Sequence, residues 1–388
     1  MRVIFVADRF YPLIGGGEKY VLSIASGLAE RGHDVHVLTS SVPGRPQLEV
    51  LRCGLKVLRI KPIFHVRDIP ILPLLKFVSS DAEIIHISGP SLNEDVICPF
   101  LKALNHKVVS TYHADFIMEN MLVTTYYVMK AHLTYRFVDK IIVTTVRYAE
   151  ILKRRGVPSE KISVIPIGVN EEIFKPAKNE ERVLLRERYG IKGKIVLFVG
   201  GFDRKHAYKH PEILLKSFKS LIEDKKFAEA RLIMVGGGEL IKYYQKFSEG
   251  LGISKRVSFL GRVSMDHLVN LYKMADIFVL PSPLPSEGFG MTALEAMASG
   301  CPVIVTRACG CSEIIRKEKS GIIVKPWSTS ELKDAMATLL LDEDLRRKLA
   351  YNGRMAIEKI YNWKRIVDRV EQLYEGLVEE SEDSACCS

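Results

Sequence analysis

What the sequence lacks narrows it first. No uninterrupted apolar run approaches the ~20 residues that a membrane-spanning helix needs. The longest candidate, "IPILPLLKFV" (69–78), is short and broken by prolines. The opening "MRVIFVAD" passes from apolar residues straight into charge, with no small-residue cleavage site of the kind a signal peptide carries. The chain is therefore expected to be cytoplasmic. Its seven cysteines are odd in number and scattered (Cys53, Cys98, Cys301, Cys309, Cys311, Cys386, Cys387), which argues against a disulfide framework. Cys309-Gly310-Cys311 has one residue between its sulfurs and no second Cys/His pair nearby, and "DED" (342–344) reads as a solvated helical face, so no metal site is expected. The terminal "ACCS" lacks the cysteine four from the end that prenylation uses, and residues 381–388 read as a disordered tail. An acidic surplus is missing too: 56 Lys and Arg stand against 46 Asp and Glu, a net charge of +10. That balance favours anionic partners such as phosphates or acidic lipid. No stripe of basic residues interleaved with aromatics is present, which speaks against nucleic acid.

What is present is a repeating pattern. At 388 residues, 47% hydrophobic and 26% charged, the chain is globular and too long for one ordinary core. "RVIFVAD" (2–8), "VHVLT" (35–39), "EIIHIS" (83–88), "KVVSTY" (107–112), "KIIVTT" (140–145) and "ISVIPIG" (162–168) are strand-like and apolar on both faces, as buried parallel strands are. Between the first two, Val21, Leu22, Ala25, Leu28 and Ala29 mark one face of a helix that Gly32 stops. The pattern restarts with "KIVLFVGG" (194–201), "ARLIMVGGG" (230–238), "RVSFLG" (256–261), "IFVLPS" (277–282) and "PVIVT" (302–306). Two successive βα series imply an α/β protein of two doubly wound, Rossmann-like domains, 1–170 and 171–364, with "NEEIFKPAKNEERV" (170–183) as linker. A last helix carries Ile366, Val370, Leu373 and Leu377 in register.

In such sheets ligands bind beyond the carboxyl ends of the strands, near helix N-termini with free amides. Four segments fall there. "YPLIGGGEKY" (11–20) turns from strand one into helix one, and Gly15, Gly16 and Gly17 let backbone approach a ligand. Tyr20 stands where a dinucleotide fingerprint requires its third glycine. "GGFDRKHAYKH" (200–210) offers Arg204 and Lys209, five apart, to one diphosphate. "STYHADF" (110–116) places His113 at the end of a buried strand. "SEGFGMTALEAMASG" (286–300) sets Glu287 in a loop and Glu295 one turn inside the helix that follows. The amides of Phe289, Gly290, Met291 and Thr292 suit phosphate, and the two carboxylates suit sugar hydroxyls. Alone, each segment also admits an ordinary structural role: a tight turn, scattered loop cations, a core histidine, acids flanking a helix.

Glu287-x7-Glu295 within "EGFGMTALEAMASGCPVI" resembles the E-x7-E signature of the retaining family-four glycosyltransferases of GT-B fold. The resemblance extends over nearly the whole chain, through "YPLIGGGEKYVLSIASGLAERGHDVHVLT", "ISVIPIGVNEEIFKP", "VSFLGRV", "CSEII" and "YNWKRIVDRV". It implies two Rossmann-like domains facing across a cleft, the first on the acceptor side and the second binding a nucleotide sugar. It also implies a C-terminal helix (365–380) that packs back on the first domain. On this pattern Gly16 and Gly17 lie on the β-phosphate side and His113 at the donor hexose. Arg204 and Lys209 take the diphosphate, Glu287 the transferred sugar and Glu295 the ribose. Phe289, Gly290, Met291 and Thr292 line the donor, and Val263 lies beside the base. Ala114 intervenes before Asp115, where the family often has Asp directly after the His, and Asn170 stands where Asp is common.

The expected activity is metal-independent transfer of a hexose, with retention, from a UDP- or GDP-sugar to a sugar or lipid-linked acceptor, with no other cofactor. A nucleotide-sugar 2-epimerase, a dinucleotide-dependent oxidoreductase and a non-catalytic sugar-nucleotide scaffold are the alternatives. Residues 121–137 place Leu122, Tyr126, Met129, Leu133 and Phe137 on one helical face beside Lys130, Arg136 and Lys140, with "KRR" (153–155) in the same domain. This suggests either a core-facing helix with solvated cations or peripheral contact with an anionic membrane on its inner face.

Overall fold

The computed structural model describes all residues except 14, 67–68, 79, 115–120 and 387–388, and all side chains except those of 121–124 and 381–386 as well. The chain divides into two compact units, Met1–Gly168 with Trp363–Ser388, and Val169–Asn362.

Unit 1 opens with β1 (Arg2–Ala7), α1 (Gly16–Glu30), β2 (Asp34–Ser40), β3 (Leu48–Val50) and β4 (Lys56–Ile60). A small hairpin follows, β5 (Phe64–Val66) and β6 (Ile69–Ile71), then β7 (Ile84–Gly89) and α2 (Leu92–Ala103). The rest is β8 (Lys107–Tyr112), α3 (Met121–Leu133), β9 (Lys140–Val143), α4 (Val146–Arg154) and β10 (Ile162–Val164). Its main sheet runs β10-β9-β8-β7-β1-β2-β4-β3, parallel except for β3 against β4. The "ISVIPIG" stretch is strand only over its first three residues, and β4 and the β5–β6 hairpin went unread in the sequence. α2 starts with a capping box, Ser91 accepting from the helix amides and Glu94 reaching back. Beneath it Ile97, Cys98 and Leu101 join Ile85, Ile87, Val108 and Ile141 in one apolar core.

Unit 2 comprises α5 (Asn179–Arg188), β11 (Ile195–Val199), α6 (Pro211–Ile222), β12 (Arg231–Val235), α7 (Ile241–Gly250), β13 (Val257–Gly261) and α8 (Met265–Met274). Then come β14 (Ile277–Leu280), α9 (Met291–Ala298), β15 (Val303–Thr306), α10 (Ser312–Glu318), β16 (Gly321–Val324), α11 (Thr329–Leu341) and α12 (Glu343–Lys359). The strand order β13-β12-β11-β14-β15-β16 is wholly parallel and reverses direction between β11 and β14. The segment read as a linker is packed rather than free. Phe174 is buried edge-on against Tyr272, and Arg354 Nη1 donates to the carbonyls of Glu171, Phe174 and Ala298.

α13 (Trp363–Cys386) returns to unit 1 and lies on α1. Of the tail expected to be disordered, the helix extends through Cys386 and the last two residues lie outside the described residues. Arg31, the C-cap of α1, pairs with Asp368 and Glu371, and His33 Nε2 meets Glu371 at 2.6 Å. Deeper in, the Tyr374 hydroxyl bonds His86 Nδ1 in β7, and both residues are almost fully buried.

Replacing Tyr374 with Phe removes one hydroxyl and leaves a buried imidazole nitrogen without its partner. Tyr374→Phe should lower the urea-unfolding stability of unit 1 by ~1–3 kcal/mol. An unchanged unfolding midpoint would show that this bond does not anchor α13.

Candidate active site

The reversal between β11 and β14 is where a doubly wound sheet opens a crevice. After β11 the chain passes through Gly200–Asp203 into a short 3-10 helix, Arg204–Lys209. Lys209 ends there almost fully buried, its Nζ on the Glu287 carboxylate from the loop after β14. Burial alone would drive the proton off Lys209, but the Glu287 charge more than offsets it and lifts the lysine pKa above its ordinary value. Ser282 Oγ donates to the same Glu287 oxygen at 3.2 Å. Arg204 stays exposed, its amide donating to Glu239 Oε1 at 3.0 Å. The two cations expected on one diphosphate are thus differently placed: Lys209 is committed inside the unit, and Arg204 points to solvent.

α9 begins without a side-chain cap. Its N-cap is Gly290, at φ 93°, where a Cβ would lie 2.9 Å from Cys311 Sγ. The first amides of a helix have no intrahelical acceptor, and the Thr292 hydroxyl beside them is buried with no partner among the described residues. A buried hydroxyl without a partner at an uncapped helix start is free to meet a ligand atom. Phe289 is buried and its carbonyl accepts from the Cys311 amide at 2.6 Å, so only its main chain is offered. Glu295, one turn on, is buried and accepts from the Tyr272 hydroxyl at 3.0 Å. Burial, and next the Glu295 charge, hold the Tyr272 proton on. Val263 is half-buried just after β13, ahead of the Ser264 cap of α8.

A second glycine loop completes the floor. Gly236 follows β12 at φ 138°, and a Cβ there would fall 1.8 Å from the Gly200 carbonyl. Phe202 N donates to Gly237 O and Leu240 N to Phe202 O, so the loops after β11 and β12 interlock through backbone.

In unit 1, Gly16 opens α1 without a side-chain cap, and Gly17 faces His113, whose Cδ2 and Nε2 would each lie 3.9 Å from an added Cβ. His113 Nε2 shares a 3.1 Å hydrogen bond with Ser88 Oγ at the end of β7, and Tyr20 meets the ring edge-on at 5.0 Å. Burial depresses the His113 pKa to about 4, so the imidazole is neutral at physiological pH. Behind it His86 Nε2 bonds Thr111 Oγ1 at 2.6 Å, and burial followed by the His113 charge holds His86 at about 3. Asp8, at the end of β1, accepts from Ser91 Oγ and Asn93 Nδ2, and burial raises its pKa. Asp115 lies outside the described residues.

Glu287, Lys209, Glu295, Thr292 and His113 are legible in the sequence, and the groups that hold them are not. Tyr272, Ser282, Ser88 and Asp8 carried no motif. The triple glycine 236–238 was visible but was read as the end of a strand. Lys130, expected among surface cations, is buried between Glu94 (2.8 Å) and Asp95. Two carboxylates inside the α2–α3 packing need a counter-charge, and Lys130 supplies it. Among the described residues no cluster of three metal-ligating side chains occurs, and no helix is long and apolar enough to cross a membrane.

The family description "Glycosyl transferases group 1" matches residues 183–356, and "Glycosyltransferase Family 4" matches 14–173. An uncharacterized glycosyltransferase of Methanocaldococcus jannaschii is 27% identical over 98% of this chain and 99% of its own. The mannosylfructose-phosphate synthase of Agrobacterium fabrum is 27% identical over 93% of this chain and 86% of its own. Among solved structures, sucrose-phosphate synthase from Thermosynechococcus elongatus superposes with a TM-score of 0.81 at 24% identity, covering 98% of this chain and all of that one. Anabaena HepE in complex with UDP-glucose gives 0.80 at 18% identity, over 97% and 100%. These likenesses show the GT-B fold.

Lys209→Met strands a buried carboxylate and should cost ~3–5 kcal/mol. Adding Glu287→Gln should recover much of the loss, so the pair is strongly non-additive by chemical denaturation. Additive losses would mean the two groups do not share their charge. The histidines set a pH dependence of opposite sense to a salt-bridged one. Between pH 6.5 and 4 the unfolded chain binds protons that His86 and His113 refuse when folded. Stability is therefore complete above pH 6.5 and falls on acidification, by ~1–2 kcal/mol per histidine at pH 5. His113→Gln should lose less between pH 7 and 5 than the wild type; an equal loss would remove His113 from the account.

Proposed function

The chain belongs to the glycosyl transferases group 1 family, and on that premise we propose that it moves a hexose from a UDP- or GDP-sugar to a sugar or lipid-linked acceptor, with retention and without a metal ion. One observation carries the reading. The buried Lys209–Glu287 pair sits at the β11/β14 reversal, next to an uncapped α9 start with an orphan Thr292 hydroxyl. A donor needs a cation and amides for its diphosphate and carboxylates for its hydroxyls, and these residue types converge there.

Lys209 and the α9 amides stabilise the charge gathering on the departing diphosphate. Glu287 exchanges part of its bond to Lys209 for hydroxyls of the transferred sugar. Glu295, steadied by Tyr272, accepts from the ribose diol, with Val263 beside the base. His113 of unit 1, held neutral by burial, is suited to exchange hydrogen bonds rather than to donate a proton. The bond from the anomeric carbon to phosphate oxygen breaks as the acceptor oxygen attacks the same face, and its proton passes to the leaving phosphate. The HepE neighbour carries UDP-glucose, which makes that donor the first to try.

A thermal-shift screen of UDP-, GDP- and ADP-sugars should give one series whose shift grows with the logarithm of concentration. Glu295→Ala should weaken that donor's KM by roughly 10–100-fold, the loss of one charge-assisted hydrogen bond of about 1.5–3 kcal/mol. Product NMR should show the donor's anomeric configuration, and turnover should persist in EDTA. An inverted product would overturn retention, EDTA inhibition reversed by Mg²⁺ would overturn metal independence, and free epimer released without acceptor would favour the epimerase.

A further inference from the structure

Packing in unit 1 leaves one buried charge half paired. Arg59 of β4 is 2% exposed, and its Nη2 donates to Glu49 Oε2 of β3 at 2.7 Å. Its Nε and Nη1 are buried and meet no acceptor among the described residues. Arg45, from the segment that leads into β3, shares the same carboxylate, Nη1 to Glu49 Oε1 at 2.8 Å. Two guanidinium groups thus stand against one carboxylate, and among the described residues no other acid pairs with either.

Strand register adds a second unpaired group. Thr39 of β2 is the Cα partner of Arg59 in a parallel pair, so both side chains leave the sheet on one face. Thr39 is fully buried, and its hydroxyl likewise has no partner. Adjacent strands lie about 4.8 Å apart, so the two unpaired groups spring from neighbouring points of the backbone. Each stands one residue before the end of its strand, at Ser40 and Ile60. That is the carboxyl edge, where doubly wound sheets bind ligands. The acid of this edge is turned away: Asp8 follows Ala7, the register partner of Thr39, and bonds Ser91 and Asn93 at the start of α2. Arg59 lies one side chain beneath the surface, since the side chains of Glu49 and Arg45 are 16% and 32% exposed. Arg45 in turn packs over the Tyr11 ring at 5.2 Å, in the turn before α1.

The missing partner is an anion. A buried guanidinium with free donors carries the desolvation cost of an unpaired charge, which an oxyanion offsets and a neutral hydroxyl does not. A phosphate group, with three terminal oxygens, can meet the guanidinium and accept from the threonine hydroxyl together. We propose that Arg59 and Thr39 hold the phosphate group of a phosphorylated acceptor in unit 1. The phosphate site rests on these residues alone, and only the assignment of its phosphate to an acceptor rests on the glycosyltransferase reading.

The test is the melting temperature of the full chain, titrated at constant ionic strength with inorganic phosphate, glucose 6-phosphate, glycerol 3-phosphate and glucose. Phosphate should raise it with the logarithm of concentration, an ester should do so at lower concentration, and glucose should not. Thr39→Val removes a hydroxyl that has no partner in the free protein. It should leave the unliganded melting temperature unchanged or higher, and weaken phosphate binding about tenfold. Arg59→Lys keeps the charge without the planar donors and should weaken binding about tenfold or more. Where Arg59→Lys lowers the unliganded melting temperature, Thr39→Val carries the test alone. Both variants should respond to nucleotide sugars as the wild type does, which separates this site from unit 2. A wild type that no nucleotide sugar shifts would sink the donor reading and leave the phosphate result standing. No shift with phosphate or either ester leaves the buried groups to internal water and overturns the proposal. Wild-type phosphate affinity in the folded variants places the anion elsewhere and overturns it too. Esters that bind no more tightly than inorganic phosphate overturn the acceptor assignment and make the ligand a free ion.

Discussion

Unit 2 depends on an ion pair that has been taken out of water. Lys209 and Glu287 come from loops after β11 and β14, and both are nearly buried. Removing either charge leaves the other desolvated and uncompensated, a large fraction of a domain's net stability. The pair therefore fixes both loops at the reversal of the sheet before any ligand arrives. The Glu287 charge also holds the proton on Lys209 against the pull of burial. A ligand that offers hydroxyls to one and phosphate oxygens to the other inherits a neutralised, preformed site and does not have to create charge in a dry one.

Backbone geometry does the rest of the positioning around that pair. Gly290 and Gly236 sit at positive φ where a side chain would strike Cys311 or the Gly200 carbonyl. Their lack of a Cβ lets the loops close on one another and leaves the start of α9 bare. The buried "CGC" segment is part of this closure, with Gly310 N and Cys311 N donating to the carbonyls of Glu287 and Phe289.

Unit 1 uses burial differently. His113 and His86 are kept neutral by desolvation and joined to Ser88, Thr111 and Tyr374 by hydrogen bonds. A neutral imidazole is a poor general acid but a well-aimed hydrogen-bond partner. Thr111 also donates to the Tyr20 hydroxyl, and Tyr20 packs edge-on against His113, so contacts run from Tyr374 of α13 to the histidine that follows β8.

Much of the fold was legible because buried parallel strands read as apolar runs whatever their neighbours. Both βα series, the strand-to-helix glycine turns and the spacing of Glu287 and Glu295 are local patterns, and local sterics and hydrogen bonding write them into the sequence. Short elements with exposed residues, such as β3 and β5, give too brief an apolar run for that signal. Pairings between distant segments leave no local trace at all. That Lys209 would hold Glu287 while Arg204 stayed outside, that Tyr272 would steady Glu295, and that Lys130 would be buried between two acids, were settled only when packing chose which charges to desolvate together. The sequence by itself determined which groups could do the chemistry. The tertiary structure decided which of them face one another, because burial energies depend on the neighbour and not on the residue alone.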